Sequence, residues 1–331
     1  MNYISTGKIV TFGEIFLMAS SVELLKIQQS ETLSFGFKGA EITVAASLSN
    51  FGLEVAHVCA VSQDVLGEAA IAFIKRYGID TSYIDISDYP LGFYVMEAGA
   101  GIRPAKIANT KFKTAFEGIN PNHIDWAKIF INCSVFYWTF STVLSEGVLE
   151  TLKKGIEKAS ILNIDIVVDA SLKNSVRHLN LQNYGDNIKE LIKKCTVFIG
   201  GSTEISLLLG TDFASDKEGY IKACKALNDR YPNILNFFDK VNDGINCYGR
   251  GWIRKNYFET GKIAVGQILD SHGTSEAFAA GLLYALRYYN YEHSLNFANA
   301  AFAIKHTIIG DFNVSTVAEV VEVLQISKKA G

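Results

Sequence analysis

Residues 267–278 read QILDSHGTSEAF and run into residues 277–286, AFAAGLLYAL, a stretch with no charge and no strongly polar side chain. The order is an apolar residue, Asp270, a small polar cluster, Gly273, and then Glu276 on the first turn of a helix expected over 276–289. A helix without a polar stripe is buried on nearly all sides. Its N-terminus presents unpaired N–H groups and the positive dipole end, which favour a phosphate or another developing anion. A carboxylate beside them suits removal of a proton from an attacking hydroxyl. Ser, Thr, Asp and Gly are also what any helix start prefers, with Glu in the first turn, so local chemistry leaves an ordinary cap as the alternative.

Upstream, short β-branched runs alternate with helical stretches. Residues 8–12 (KIVTF), 56–61 (AHVCAV), 134–138 (SVFYW), 165–169 (DIVVD), 196–200 (TVFIG) and 234–238 (ILNFF) read as strands apolar on both faces, as parallel strands under helices must be. Residues 42–51, 67–77, 146–160, 186–194 and 220–231 read as helices. The alternation predicts an α/β fold, a doubly wound, mainly parallel sheet with helices on both faces and ligands at the carboxyl ends of the strands. Two segments depart from it: 25–39 is polar and strand-like, and 92–116 reads as a hairpin turning around 99–101. They predict a small β flap, or lid, over about 16–39 and 90–116, inserted in a single domain spanning 1–331. Phe35, Phe37, Phe93, Val95 and Ile107 alternate with polar residues there, so the lid should have one apolar face that a second subunit covers, with Phe37 in the contact. Downstream, 252–258 (WIRKNYF) reads as an edge strand, and 276–289, 293–307 and 316–325 as helices.

Lys and Arg number 31 against 34 Asp and Glu, a net charge of −3, which excludes a protein held on nucleic acid by bulk charge. The five cysteines are odd in number, widely spaced and without a CxxC, as expected of buried free thiols in a reducing cytoplasm. The uncharged stretch 129–145 is short for a membrane span and is interrupted by Asn132, Ser134, Thr139, Ser141 and Thr142. The first residues show no leader pattern. The expectation is a soluble cytoplasmic protein with no nucleic-acid or membrane partner. There is no GxxxxGK[ST], no protein-kinase motif set and no zinc-ligand spacing.

Residues 270–278 resemble the signature DTxGAGDxF of the ribokinase-like (PfkB) sugar kinases, with Asp270, Gly273, Ala277 and Phe278 matching at unchanged spacing. TFGEI (11–15), KGAEITVA (38–45), PLGFY (90–94) and GAGIRPAK (99–106) resemble further family segments in order and distance, and IKHTIIGDFN (304–313) resembles the 2-keto-3-deoxygluconate kinase branch. The resemblance covers essentially the whole chain. It implies a ribokinase-like fold with a lid, and transfer of the γ-phosphoryl group of ATP to a hydroxyl of a sugar or keto-sugar acid. ATP and Mg²⁺ are the implied cofactors, with a monovalent cation as a further candidate, and a homodimer through the lid is the implied assembly. Glu276 takes the place of the catalytic base, with the anion hole at Gly273, Thr274 and Ser275. Gly39, Ala40, Thr43, Tyr94, Asn109, Lys111 and Lys173 stand at substrate positions. Gly201, Glu204, Lys240, Gly244, His306 and Asn313 stand at nucleotide positions, and Glu204 and Asp270 at metal positions.

The departures from the family pattern cluster at these sites. The family's catalytic Asp is Glu276, whose longer side chain moves the acceptor oxygen by ~1.5 Å, and its Gly-Ala-Gly reads Gly273, Thr274, Ser275. A serine at 275 makes any positive φ there costly. The first Gly of GGAE is Lys38, the Asn that follows is Thr43, the flap's Tyr and Arg are Asn109 and Lys111, DxNxR reads Asp169, Ser171, Lys173, and the Asn of NxxE is Gly201. Three readings follow: an active sugar kinase, a paralogue that keeps the fold as a binding or regulatory protein, and a nucleoside or amino-sugar kinase.

Overall fold

A computed structural model of the chain describes residues 4–109, 112–171 and 175–329. Strand β1 (Lys8–Phe12) enters the core, and β2 (Phe16–Ser21) and β3 (Leu33–Lys38) form half of a lid. The chain returns through α1 (Ala40–Asn50), β4 (Val55–Ser62), α2 (Val65–Arg76) and β5 (Ile84–Ser87), and β6 (Gly92–Glu97) and β7 (Lys106–Asn109) complete the lid. The alternation resumes with α3 (Trp126–Ile129), β8 (Cys133–Thr139), α4 (Glu146–Ile161), β9 (Asp165–Asp169), α5 (Ser175–Ile192), β10 (Val197–Ile199), α6 (Ser202–Leu209), α7 (Lys217–Arg230) and β11 (Asn236–Asn242). It closes with β12 (Asn246–Ile253), β13 (Asn256–Glu259), β14 (Ile263–Ala264), α8 (Thr274–Ala285), α9 (Tyr291–Lys305) and α10 (Val317–Lys329).

The main sheet runs β13-β12-β11-β10-β9-β8-β1-β4-β5, with β14 also on β12. From β11 to β5 all neighbours are parallel, whereas β12, β13 and β14 add antiparallel pairs at one edge. The chain leaves β1 for β4 on one side and later takes up β8 on the other, so the strand order reverses at β1 and β8. Their carboxyl ends open the crevice in which doubly wound sheets bind ligands. Strand β4 is buried at every residue, and within α8 every residue but Glu276 and Tyr284 is buried. No helix among the described residues is long and apolar enough to cross a membrane. The five cysteines are free thiols, all buried except the half-buried Cys133.

Two expectations are corrected. Residues 252–258 are not one edge strand: β12 turns into β13 through Arg254 and Lys255, with φ of 47° and 71°. Left-handed backbone at both centres is the tight hairpin geometry that usually calls for Asn-Gly, and neither residue announces it. The lid is a four-stranded sheet of order β3-β2-β6-β7, and its outward face is covered over only part of its length. Phe37 is 9% exposed and packs on Phe73 of α2 with ring centroids 5.3 Å apart, inside its own subunit. Phe35, two residues earlier on the same face, is 71% exposed. The position expected in a subunit contact is therefore core. Phe37→Ala should cost about 3 kcal/mol in urea unfolding, as expected for a truncated buried ring; a loss under about 1 kcal/mol would place the ring outside the core.

Candidate functional site

The chain enters α8 through Gly273, whose φ of 72° lies in the left-handed region. A Cβ at 273 would stand 1.7 Å from the carbonyl oxygen of Asp311, so close backbone approach as well as conformation requires glycine. The loop before it is held by Asp270. One oxygen accepts from the backbone N–H of His272 at 2.9 Å and from its Nδ1 at 2.6 Å, and the other accepts from Gly310 N at 2.8 Å. Burial works against the charge of Asp270, yet these bonds hold its carboxyl below the usual carboxylate range. The same bond from Asp270 raises the pKa of His272. The N–H groups of Leu269 and Asp270 donate to His306 O at 2.9 and 3.2 Å, tying the loop to the end of α9.

On the first turn of α8, Thr274 and Ser275 are buried, and Thr274 Oγ1 donates to Ser271 O at 2.9 Å. Ser275 lies inside the helix and is not among the positive-φ residues, so the strain expected of a serine there does not arise. Ser275 Oγ and Glu276 Oε2 are both buried without a hydrogen-bond partner among the described residues. Both line a cleft of about 1220 Å³. Buried polar groups in folded proteins are bonded as a rule; the Ser275 hydroxyl at this helix N-terminus can donate to an anionic ligand such as a nucleotide's phosphates, whereas Glu276 Oε2 accepts and fits a donor such as a ligand hydroxyl.

The lid roofs this cleft with Phe16 and Met18 of β2, Tyr94 and Met96 of β6 and Ile107 of β7. Opposite lie Gly39, the cap of α1, with Ala40 and Thr43, whose Oγ1 donates to Gly39 O at 2.8 Å. Two carboxylates join them. Glu41 accepts from the hydroxyls of Thr139 and Thr142 at 2.6 and 2.7 Å. Glu14 follows β1 directly; its Oε1 has no partner among the described residues, and Tyr94 Oη stands 3.5 Å from its Oε2. Burial, opposed by a bond from Thr114 and helped by Glu117 and Glu41, pushes Glu14 up to about 8. Burial and Glu14 together raise the Tyr94 phenol.

A second cavity of about 310 Å³ shares Lys240, Asn242 and Ser275 with the first and is lined by 201–204 at the start of α6. A Cβ at 201 would meet Asp239 Oδ2 at 2.8 Å, and Asp239 pairs with Arg250 at 2.8 Å, both side chains under 10% exposed. A side chain at 201 would therefore run into that ion pair. Glu204 Oε2 accepts from Gly201 N at 2.9 Å, and Lys240 Nζ donates to Ser171 Oγ. Asn242 Nδ2 lies 3.1 Å from His306 Nε2, while His306 Nδ1 lies 2.8 Å from Phe302 O, which assigns the proton to Nδ1.

The structure thus brings Gly39, Ala40, Thr43, Tyr94, Lys240, Asp270, Gly273, Thr274, Ser275, Glu276 and His306 to the cleft, and Gly201 and Glu204 to the cavity beside it. Gly244 sits instead in the β11–β12 turn, its N–H donating to Asn242 Oδ1 at 2.8 Å. Asn313 is buried and accepts from Ser315 N and Oγ at 3.1 and 2.7 Å. Neither lines the cleft or the cavity. Asn109 ends β7 opposite Tyr94. Lys111 and Lys173 lie outside the described residues. Asp270 uses one oxygen on His272 of its own loop and the other on Gly310 after α9, and no group of three His, Cys, Asp or Glu among the described residues could hold a metal. Sequence reasoning misses Glu14 and Glu41; the available signal is a lone carboxylate just after a glycine, Gly13-Glu14 and Gly39-Ala40-Glu41, in otherwise apolar surroundings.

A doubly wound, mainly parallel sheet with helices on both faces is the architecture of the ribokinase-like kinases, and here it carries a four-stranded lid over the cleft. The profile of the pfkB family carbohydrate kinases matches residues 6–311, and the chain belongs to that family. It is 24% identical over 328 residues to the 2-dehydro-3-deoxygalactonokinase of Haloferax volcanii, covering 97% of each protein. The crystal structure of 2-dehydro-3-deoxygluconokinase from Thermotoga maritima superposes with a TM-score of 0.89 at 24% identity, over 96% of this chain and 99% of that one. A putative ribokinase II from E. coli, solved in complex with ATP and Mg²⁺, gives 0.83 at 16% identity, over 97% of this chain and 99% of that one.

Glu14 makes stability depend on pH. Its raised pKa means the folded chain keeps a proton that the unfolded chain releases above about 4.5. The group's stabilising contribution is therefore complete below pH ~4.5 and is lost as pH rises to about 8. Glu14→Gln should flatten the fall in Tm between pH 5 and 8, and in urea unfolding at pH 8 should recover roughly several kcal/mol relative to the unaltered chain. Parallel Tm profiles for the two proteins would show that Glu14 is ionised throughout.

Proposed function

We propose that the protein is an ATP-dependent sugar kinase whose acceptor is a hydroxyl of a sugar or keto-sugar acid resembling 2-keto-3-deoxygluconate. The carboxylate of Glu276 carries this reading: it sits on the first turn of α8, lines the cleft, and has a buried oxygen with no partner among the described residues. Family membership and the kinases named among the relatives support the same chemistry.

ATP with magnesium, when bound, supplies the phosphoryl group and neutralises part of its charge. Lys240 and the start of α6 would face the polyphosphate, and Glu204 would organise magnesium through water, since Mg²⁺ keeps several waters and few protein ligands. Glu276 accepts the proton of the acceptor hydroxyl as it attacks. The N–H groups of 273–276, aimed by the αL turn at Gly273, stabilise the charge of the transferring group. Asp270 acts indirectly, by fixing that turn. Gly39, Ala40, Thr43 and Tyr94 hold the acceptor, and the apolar lid face excludes water from it.

Glu276→Gln should lower turnover of 2-keto-3-deoxygluconate or 2-keto-3-deoxygalactonate with ATP by about 10²-fold or more while leaving Tm within a few degrees. Unchanged turnover would remove Glu276 as the base. Nucleotide binding without turnover in the unaltered protein would favour a ligand-binding paralogue.

We also infer that the outer lid face is a homodimer contact. It carries Phe35 at 71% and Leu33 at 43% exposure, beside the buried Leu17 and Phe37. A two-fold pairing of lids would cover both copies of this patch at once. Phe35→Asp should then give monomers in light scattering at micromolar concentration; an unaltered protein that is already monomeric overturns the assignment.

A further inference from the structure

Lys38 is the last residue of lid strand β3, immediately before Gly39 caps α1. Its side chain is on the cleft face and forms an ion pair with Asp311, their side chains 23% and 21% exposed. Asp311 is also the residue whose carbonyl presses on Gly273. The Lys38 ammonium thus stands at the start of α8, close enough to act on the charges of His272 and Lys305. Among the described residues lining the cleft, the lysines are Lys38 and Lys240. Lys240 donates to a serine hydroxyl, and Lys305, fully buried behind the loop, donates to Ile308 O at 2.8 Å. Lys38 alone of these has a carboxylate partner, an acceptor that a phosphate can replace.

A partly exposed ion pair contributes little, whereas a phosphate with more than one negative charge is the stronger partner for a compact ammonium on a flexible stem. We propose that Lys38 is a catalytic residue: its ammonium leaves Asp311 to donate to the γ-phosphoryl oxygens, staying protonated throughout, while Asp311 keeps it over the site between turnovers. This rests on the kinase reading.

Calorimetric titration with the magnesium complexes of ADP and of a non-hydrolysable ATP analogue separates the γ-phosphate contact from the rest. Lys38→Met should weaken the triphosphate analogue by about tenfold or more, the loss of one charge-assisted bond, and leave ADP within about twofold. Asp311→Asn, which removes the competing carboxylate, should increase the preference for the triphosphate. Equal losses for both nucleotides, no loss for either, or a preference reduced by Asp311→Asn would each overturn the role of Lys38 while leaving the kinase reading intact. Failure of both nucleotides to bind the unaltered protein would overturn the two together.

Discussion

A backbone contact governs the site. Because the α-carbon of residue 273 lies against the carbonyl of Asp311 in a left-handed turn, the start of α8 and the segment after α9 must be built as one piece. Asp270 bonds to Gly310 across the same junction, and the N–H groups of Leu269 and Asp270 reach His306. Helix α8 is buried almost throughout, so its first turn cannot shift without moving the core. The N–H groups that would meet a phosphate are therefore aimed by packing, with no free loop to adjust. Preorganisation of this kind is what allows fixed dipoles to stabilise charge at the moment it develops.

Against that background the altered residues of the turn lose much of their threat. What the backbone needs from a glycine it needs at 273, where glycine remains. At 275 the chain is already helical, and a hydroxymethyl group costs no strained torsion. Glycine at 201 suits its surroundings similarly, because the Asp239–Arg250 pair lies where a side chain would stand. These departures are local exchanges of volume within an unaltered frame.

The frame itself was legible in the sequence. Parallel strands covered on both faces read as continuous apolar runs, and β1, β8 and β9 fall where those runs are. The polar cluster before an uncharged helix located the start of α8 for the same reason. What escaped was geometry that leaves no compositional trace. Arg254 and Lys255 form a hairpin turn without a turn residue. Phe35 and Phe37 belong to one face by period, yet only the three-dimensional position of α2 decides that one ring is core and the other solvent. Gly244 and Asn313 are turn-forming residues that suit a binding loop and a structural loop equally; the structure shows Gly244 bonded within the β11–β12 turn and Asn313 bonded to Ser315. Glu14 and Glu41 were overlooked because a lone carboxylate after a strand or at a helix start is ordinary locally; only their convergence in one cleft distinguishes them.

The lid's two faces have a further consequence. Its even-numbered positions, Phe16, Met18, Tyr94 and Met96, look into the cleft, and the intervening ones, Leu17, Ala19, Phe35 and Phe93, look away. Adjacent codons thus answer to different demands, one set to the lining of the cleft and the other to whatever lies behind the sheet. One property can change while the other is held fixed, by altering every second residue of the same short strand. A pleated sheet one layer thick gives this separability without any additional domain, so the cleft wall and the outer surface can diversify independently on an otherwise constant body.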